Sequence, residues 1–323
     1  MATVTLRLGQ EQLKPFVSAI TCVSKAGKEI SLECDAETIT LRALNDAHSA
    51  SAEITFDSGF LDGYTPPSLA GDGRPTALVK CTTMASTWQS VFRSLKNVLS
   101  MEIELEVDDG DNGGGHDAVD ASVIVFRLCC DKRITKTHRI KTTDTQTLRP
   151  IFDKASSPSR IKMRPFHLTT LLQHIHGTDE VSMTCGKDQV RFESYYTNPL
   201  DVKKHVHTET TVDTAEFIAY LFEPGEDPLN EAVVQLIFCL KEIRALLAYC
   251  DACGLAELVL YFSDGGSPIL LSTESVATAS YGAQIVLSTV ATLHAGPTQD
   301  AGPSQEAEYE HAARAKKQKR SSA

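Results

Sequence analysis

One helical pattern recurs four times along this chain at nearly equal intervals. An amphipathic helix needs apolar residues at positions i, i+3, i+4 and i+7, because one turn takes about 3.6 residues. The four matching sets are Leu13, Phe16, Val17 and Ile20; Trp88, Val91, Phe92 and Leu95; Leu168, Leu171, Leu172 and Ile175; and Ile243, Leu246, Leu247 and Cys250. Their starting points lie 75, 80 and 75 residues apart. This even spacing predicts a repeated folding unit rather than four unrelated helices.

Strand-like segments surround each of these helices in the same order. One segment precedes each helix (TVTLRL, TALVKC, SRIKMR and VVQLIF), and three β-branched or alternating segments follow it. The unit is therefore strand, helix and three strands, and four units joined in pairs predict an α+β fold with two similar domains. Residues 144–160 contain Pro150, Pro158 and three serines, which is typical of a connecting segment. We expect domains over residues 1–143 and 161–292, followed by a flexible tail over 293–323 that is low in apolar residues.

The charge distribution bears on possible partners. The formal net charge of −11 argues against nucleic acid coating the whole surface, but it permits a confined basic patch. The predicted solvent face of the helices contains no acidic residue; it consists of Pro15, Ser18, Ser90, Arg93, Thr170, Gln173, Ala245 and Ala248. The cations beside this face are Lys14, Lys25, Lys96, Lys241 and Arg244. A small, neutral and basic row suits the DNA backbone. An ordinary solvated surface is the alternative, and the third helix offers only Gln173, His174 and His176.

Compartment and membrane association also follow from the sequence. No apolar run approaches the roughly 20 residues that span a bilayer. The N-terminal MATVTLRLGQ lacks the basic flank and apolar stretch of a secretory signal. Nine cysteines, an odd number, favour a reducing cytosolic or nuclear setting.

Two patterns raise the question of a metal site or a catalytic site. Cys250 and Cys253 form a C-x-x-C pair, but zinc would require a second pair, so we expect these cysteines to pack in the core. Asp108, Asp109 and Asp111 offer carboxylates for a divalent cation or for nuclease chemistry, yet they lie in a Gly-rich stretch typical of a surface loop. We therefore expect no metal, no cofactor and no enzymatic activity.

Several segments resemble a known family. VFRSL (91–95), KTHRIK (136–141), IFDKASSP (151–158) and FCLKEIRALL (238–247) resemble the Rad-nine family, whose members are subunits of the nine-one-one checkpoint clamp. The resemblance covers roughly residues 1–290. It implies a DNA clamp fold, with helices lining a channel and sheets outside. It further implies a nuclear heterotrimer with Rad-one-like and Hus-one-like subunits, which a clamp loader places on double-stranded DNA with a recessed end.

The resemblance also implies roles for individual residues. Lys14, Arg93, Lys241 and Arg244 would face the DNA channel, with Lys25 and Lys96 beside them. Phe152 would lie beside the loop where repair enzymes dock short peptide motifs. In the tail, Thr298 and Ser304 each precede glutamine and are candidate phosphorylation sites, through which a BRCT-domain checkpoint scaffold would bind. The tail cluster of Lys316, Lys317, Lys319 and Arg320 is either a nuclear localisation signal or a solvated charge run. A homotrimeric replication clamp and a 3′–5′ exonuclease remain alternative functions.

Overall fold

Four helices occupy the positions that the repeat predicts. The computed structural model describes residues 3–67, 78–107, 118–143, 148–197, 206–223, 233–275 and 281–290. Within them the helices are α1 (Gln10–Ala26), α2 (Ala85–Val91), α3 (Pro165–Leu172) and α4 (Leu240–Cys253). The described residues all belong to one compact unit, Met1–Ala291. The predicted tail sites (Thr298, Ser304, Lys316, Lys317, Lys319 and Arg320) and Asp108, Asp109 and Asp111 lie outside the described residues.

The strands complete the repeated unit. They are β1 (Thr3–Leu8), β2 (Glu29–Cys34), β3 (Thr38–Leu44), β4 (Ala50–Asp57), β5 (Gly63–Thr65), β6 (Leu78–Met84), β7 (Val98–Glu106), β8 (Ala118–Asp120), β9 (Val123–Cys130), β10 (Thr135–Lys141), β11 (Ser159–Met163), β12 (Glu180–Cys185), β13 (Gln189–Tyr195), β14 (Glu209–Asp213), β15 (Ala219–Leu221), β16 (Val234–Cys239), β17 (Leu258–Phe262), β18 (Ile269–Glu274) and β19 (Tyr281–Leu287). One strand precedes each helix and at least three follow it. The predicted order of strand, helix and three strands is therefore confirmed.

The strands form three sheets, one of which joins the two halves of the chain. The ten-stranded sheet has the order β15-β11-β17-β18-β19-β4-β3-β2-β6-β8. Its halves meet where β19 pairs antiparallel with β4, placing Tyr281 opposite Phe56 and Leu287 opposite Ala50. The other sheets are β10-β9-β7-β1-β5 and β14-β13-β12-β16. Strand β10 in the first half and strand β14 in the second half are therefore sheet edges.

The apolar face of each helix packs on these sheets as predicted. All sixteen residues of the four apolar sets are buried except Val17 and Leu95, which are half-buried against the core. Burying each Leu-sized side chain contributes about 1.5–3 kcal/mol to folding. On α1, the Phe16 ring lies 5.6 Å from that of Phe56 on β4. Helix α1 also packs against α4, so the first and last repeats share one core.

Two helices end earlier than the apolar period predicts. Helix α2 ends at Val91 and α3 ends at Leu172, so Leu95 and Ile175 lie in the turns that follow. The Ile175 N–H bonds the Leu172 carbonyl at 3.2 Å, which closes a tighter turn than an α-helix allows. After α2 the chain reaches Asn97, whose φ of 68° is incompatible with a right-handed helix. The apolar pattern in the sequence extends past the ends of both helices because Leu95 and Ile175 still pack against the core from these turns.

Candidate nucleic-acid interface

The helix row that the sequence predicts to face DNA is accessible to solvent. Its half-buried members are Pro15, Ser18 and Ala245, and its exposed members are Ser90, Arg93, Thr170, Gln173 and Ala248. The row members lie at positions i+2 and i+5 of each apolar set, on the opposite face of a helix that has 3.6 residues per turn. The structure thus separates an apolar face on the sheets from a neutral face toward solvent. Whether that face meets DNA stays a prediction.

Three of the predicted cations line one groove between α1 and α4. Lys25 is in the last turn of α1, and Lys241 and Arg244 are in the first turns of α4; all three are exposed. The groove has a volume of about 510 Å³. Asp179 is the only acid among its described lining residues, so the groove carries a net positive charge. A phosphate group would meet complementary charge here.

The two cations of α4 differ in their bonding. The Arg244 guanidinium donates a hydrogen bond to the Ile175 carbonyl at 2.6 Å, which ties α4 to the turn after α3. Lys241 forms no ion pair and no side-chain hydrogen bond with any described residue. Replacing Arg244 therefore removes a structural bond together with a charge, whereas replacing Lys241 removes the charge alone.

The remaining predicted cations lie away from this groove's lining. Lys14 is exposed on α1, close enough to Cys253 to favour its thiolate. Arg93 and Lys96 are exposed in the turn between α2 and β7, because α2 ends at Val91. Arg93, which the sequence places in the helical row, is therefore a turn residue in the structure, as is Lys96.

The C-x-x-C pair lies in the contact between α1 and α4. Cys250 is buried, and burial raises its pKa to about 12. Burial also raises the pKa of half-buried Cys253 to about 11, against the opposing influence of Lys14. Among the described residues no third His, Cys, Asp or Glu ligand atom forms a group with both thiols within 4.8 Å of one another, whereas a structural zinc site needs four ligands. Gly254 ends α4 in the left-handed conformation with φ 65°, which glycine adopts readily at a helix C-terminus.

Glu242 is a buried carboxylate that the sequence did not single out. It is 3% exposed, and its Oε2 has no hydrogen-bond partner among the described residues. Its place in the first turn of α4 exposes it to the positive end of the helix dipole. The pKa of the Cys239 thiol is raised to about 11, mainly by burial and further by the neighbouring Glu242. An acidic residue in the first turn is a known signal of a helix start, so the sequence could have indicated that Glu242 lies at the N-terminal end of α4.

One group of potential metal ligands occurs among the described residues, on β13, on β14 and in the segment just before β14. Glu193, His207 and Glu209 bring their ligand atoms within 4.8 Å of one another. Arg191 lies 3.5 Å from the carboxylate of Glu193 and 3.9 Å from that of Glu209. The guanidinium lies near both carboxylates and offsets part of their charge, so the group is better described as an ion-pair cluster on the sheet surface.

The connecting segment lies over the ten-stranded sheet. Arg149 approaches the Glu53 carboxylate on β4 at 3.8 Å, and Lys154 bonds the Ser272 hydroxyl on β18 at 3.1 Å. The segment is thus attached to strands on both sides of the β4–β19 junction. Phe152 is half-buried, whereas neighbouring Ile151 is 94% exposed. The most exposed apolar side chain of the described part of this segment is therefore Ile151, followed by Leu148 at 54%, and the docking role of Phe152 remains a prediction.

Solved structures of sliding clamps share this fold. A proliferating cell nuclear antigen (PCNA) from Thermococcus kodakaraensis superimposes with a TM-score of 0.61, covering 88% of this chain and 99% of that one at 10% identity. A PCNA2–PCNA3 complex from Sulfolobus tokodaii gives a TM-score of 0.61, covering 88% and 98% at 10% identity. At such low identity these likenesses establish the fold alone. The protein is an α+β protein with the sliding-clamp fold.

Sequence comparison identifies the family. A sequence profile of the Rad9 family matches residues 16–290, and the chain belongs to that family. It is 24% identical over 302 residues to the DNA repair protein rad9 of Schizosaccharomyces pombe, covering 86% of this chain and 68% of that protein. It is 25% identical over 257 residues to the cell cycle checkpoint control protein Rad9 of Drosophila melanogaster, covering 79% and 50%. The chain thus spans about half to two thirds of these relatives. No helix among the described residues is long and apolar enough to cross a membrane.

Proposed function

We propose that this chain is one subunit of a heterotrimeric checkpoint clamp, which encircles DNA at damage sites and serves as a scaffold for signalling and repair. The main supporting observation is the groove between α1 and α4 in a chain of net charge −11: Lys25, Lys241 and Arg244 line it, and Asp179 is the only acid among its described lining residues. Membership of a family with repair and checkpoint proteins supports this proposal. The subunit acts by topology and binding rather than by catalysis, and it functions in the nucleus.

The proposed ring is built from two clamp domains per subunit, residues 1–143 and 161–292. The free edges β10 and β14 would each pair with a neighbouring subunit, one Rad-one-like and one Hus-one-like, because an unpaired strand edge is a template for another strand. A clamp loader would place the ring on duplex DNA with a recessed end. Repair enzymes would dock at the connecting segment near Phe152 and Ile151, and a BRCT-domain scaffold would bind the phosphorylated tail.

A homomeric replication clamp is a second candidate, favoured by one observation. Strand β10 carries Lys136, Arg139 and Lys141, whereas β14 carries Glu209 and Asp213. Opposite charges on the two edges would let β10 of one copy meet β14 of another. The same pattern suits a heterotrimer in which the two neighbours carry an acidic and a basic edge. The oligomeric state of the isolated chain therefore separates these candidates.

We expect the purified chain to be a monomer of about 35.1 kDa. It should form a three-membered ring only after both related subunits are added. Size-exclusion chromatography with light scattering measures this directly, alone and in the mixture. Three times the monomer mass for the isolated chain would support the homomeric ring instead. A chain that remains a monomer after both related subunits are added would contradict the heterotrimer.

Lys241→Glu should weaken retention of the assembled ring on circular primed DNA while leaving the fold intact. The exposed side chain has no described partner to lose, and the substitution places a negative charge beside the proposed phosphate path. The logarithm of the binding constant should depend less steeply on the logarithm of salt concentration, by about one unit for each lost phosphate contact. Salt titration of ring retention gives this slope.

Lys187→Glu is the matched control, because Lys187 is exposed in the turn between β12 and β13, away from the helices. Its salt slope should equal that of the wild-type ring. Arg244→Glu should weaken retention too, but it also loses the bond to Ile175 and should lower thermal stability. Equal retention of the Lys241→Glu, Lys187→Glu and wild-type rings would contradict the assignment of the groove.

A further inference from the structure

The turn between β9 and β10 has a backbone conformation that its residues disfavour. Lys132 has φ 53° and ψ 26°, and Arg133 has φ 58°. Positive φ at both central residues defines a type I′ hairpin turn, which normally holds Asn-Gly because longer side chains are strained there. Two consecutive long cationic side chains in this conformation have no structural advantage. Persistent strain of this kind occurs where function requires the residues.

The strained turn lies beside the turn that follows α2. The Asp131 N–H donates to the Asn97 carbonyl at 2.9 Å, and Val98 pairs with Cys130 across β7 and β9. This contact places four exposed cations in two adjacent turns, which we call the two-turn basic patch: Arg93, Lys96, Lys132 and Arg133. Two turns distant in sequence thus share one corner of the fold.

The patch is not neutralised by the protein itself. None of its four cations forms an ion pair or a side-chain hydrogen bond with a described residue. Asp131 is the only acid in the two turns, residues 92–97 and 131–134. By contrast, nearby Arg127 and Arg139 on β9 and β10 are paired with glutamates. Four cations without a described partner, at one corner of an acidic chain, repel one another unless a polyanion joins them.

We infer that the two-turn basic patch binds the phosphate backbone of duplex DNA. The inference rests on the proposed clamp function and adds a contact outside the groove between α1 and α4. Arg93 and Lys96 directly follow α2, whose exposed Ser90 belongs to the neutral row, so a duplex on that row would pass this corner. Flexible lysine and arginine side chains contact phosphates without reading sequence. The patch therefore recognises DNA irrespective of base composition.

The double variant Lys132→Asn, Arg133→Gly tests this inference with a built-in control for folding. Asn-Gly suits the type I′ turn, so the melting temperature of the full chain should rise by about 2–4 °C. Affinity for a 30-base-pair duplex should fall, and the salt slope of binding should become shallower by about two units. Fluorescence anisotropy of the labelled duplex, titrated with the isolated chain, measures both quantities.

The charge-matched control is Arg160→Asn with Lys187→Asn, which removes two exposed cations outside the patch and should leave the slope unchanged. An equal slope for wild type and Lys132→Asn, Arg133→Gly would overturn the inference, as would absence of duplex binding by the wild-type chain at low salt. Loss of binding to a poly-glutamate peptide with unchanged duplex binding would assign the patch to an acidic protein partner instead. Ring assembly, measured separately by light scattering, fails or succeeds independently of this result.

Discussion

Arg42→Ala should lower the free energy of unfolding by about 3–5 kcal/mol, as expected when one partner of a buried ion pair is removed. The Arg42 side chain on β3 is only 4% exposed. Its guanidinium lies 2.5 Å from the Glu33 carboxylate on β2 and 2.7 Å from the Glu53 carboxylate on β4. Without Arg42, two partly buried carboxylates would face each other with no counter-charge. Urea unfolding followed by circular dichroism measures the change.

The matched control is Arg7→Ala, because Arg7 also pairs with a glutamate on a neighbouring strand but is 67% exposed. That variant should lose about 1 kcal/mol or less, since exposed pairs contribute little. Replacing Arg42, Glu33 and Glu53 together by leucine should recover much of the lost stability, because no charge is then left unpaired. Equal losses for the two arginine variants would show that burial does not set the strength of the Arg42 cluster.

Loss of Arg42 should also affect the connecting segment. Glu53 accepts from Arg42 through one oxygen and lies near Arg149 of the segment through the other. The position of Glu53 thus depends on Arg42, and the attachment of the segment to β4 depends on Glu53. The carboxylate links the core of the sheet to the loop where we propose that repair enzymes dock.

The repeated unit could be predicted from sequence because its signals are long. Each helical set spans eight residues, and the principal strands have at least five alternating or β-branched residues, enough to reveal the period. Strands β5, β8 and β15 have three residues each and were not predicted, because so short a segment shows no period. The apolar period also continued past the ends of α2 and α3, since Leu95 and Ile175 pack on the core from turns.

The candidate interface was less predictable than the fold. Lys25, Lys241 and Arg244 share a groove because α1 and α4 pack together, and this long-range contact has no local sequence signal. The cations of the turn between β9 and β10 were missed because Lys132 and Arg133 replace the Asn-Gly that marks a tight hairpin. The structure separates β9 from β10 by only four residues, DKRI, and so short a connection between antiparallel strands requires a tight turn whatever its composition.

The structure also explains how an acidic chain presents basic surfaces. Strand arginines such as Arg42, Arg127 and Arg139 are paired with glutamates on adjacent strands. Cross-strand neighbours lie about 4.5–5.5 Å apart, so opposite charges there meet readily. Lys25 and Lys241 lie on helices and have no described acidic partner. A net excess of acidic residues in the chain is therefore compatible with cations that stay without an acidic partner on the proposed DNA-facing surface.

Trp88→Ala should be about as destabilising as Arg42→Ala, with a loss of about 3–5 kcal/mol in the free energy of unfolding. Trp88 on α2 is fully buried, and its ring lies 5.0 Å from that of Phe126 on β9 in an edge-on arrangement. Its indole N–H donates to the Thr83 hydroxyl. The alanine variant leaves a cavity and deprives Thr83 of its partner. Chemical denaturation followed by far-ultraviolet circular dichroism measures the loss without relying on tryptophan fluorescence.

Two comparisons separate the cavity from the hydrogen bond. Trp88→Phe keeps most of the packing and should lose only about 1–3 kcal/mol, because it mainly leaves the buried Thr83 hydroxyl without its partner. Adding Thr83→Val should recover part of that loss, since both polar partners are then absent. Phe166→Ala is the matched aromatic control on α3, where the ring is 80% exposed, and it should change stability by less than about 0.5 kcal/mol. If Trp88→Ala cost no more than Phe166→Ala, the packing of α2 on β9 would not stabilise this repeat, and the two-turn basic patch would lack a fixed support.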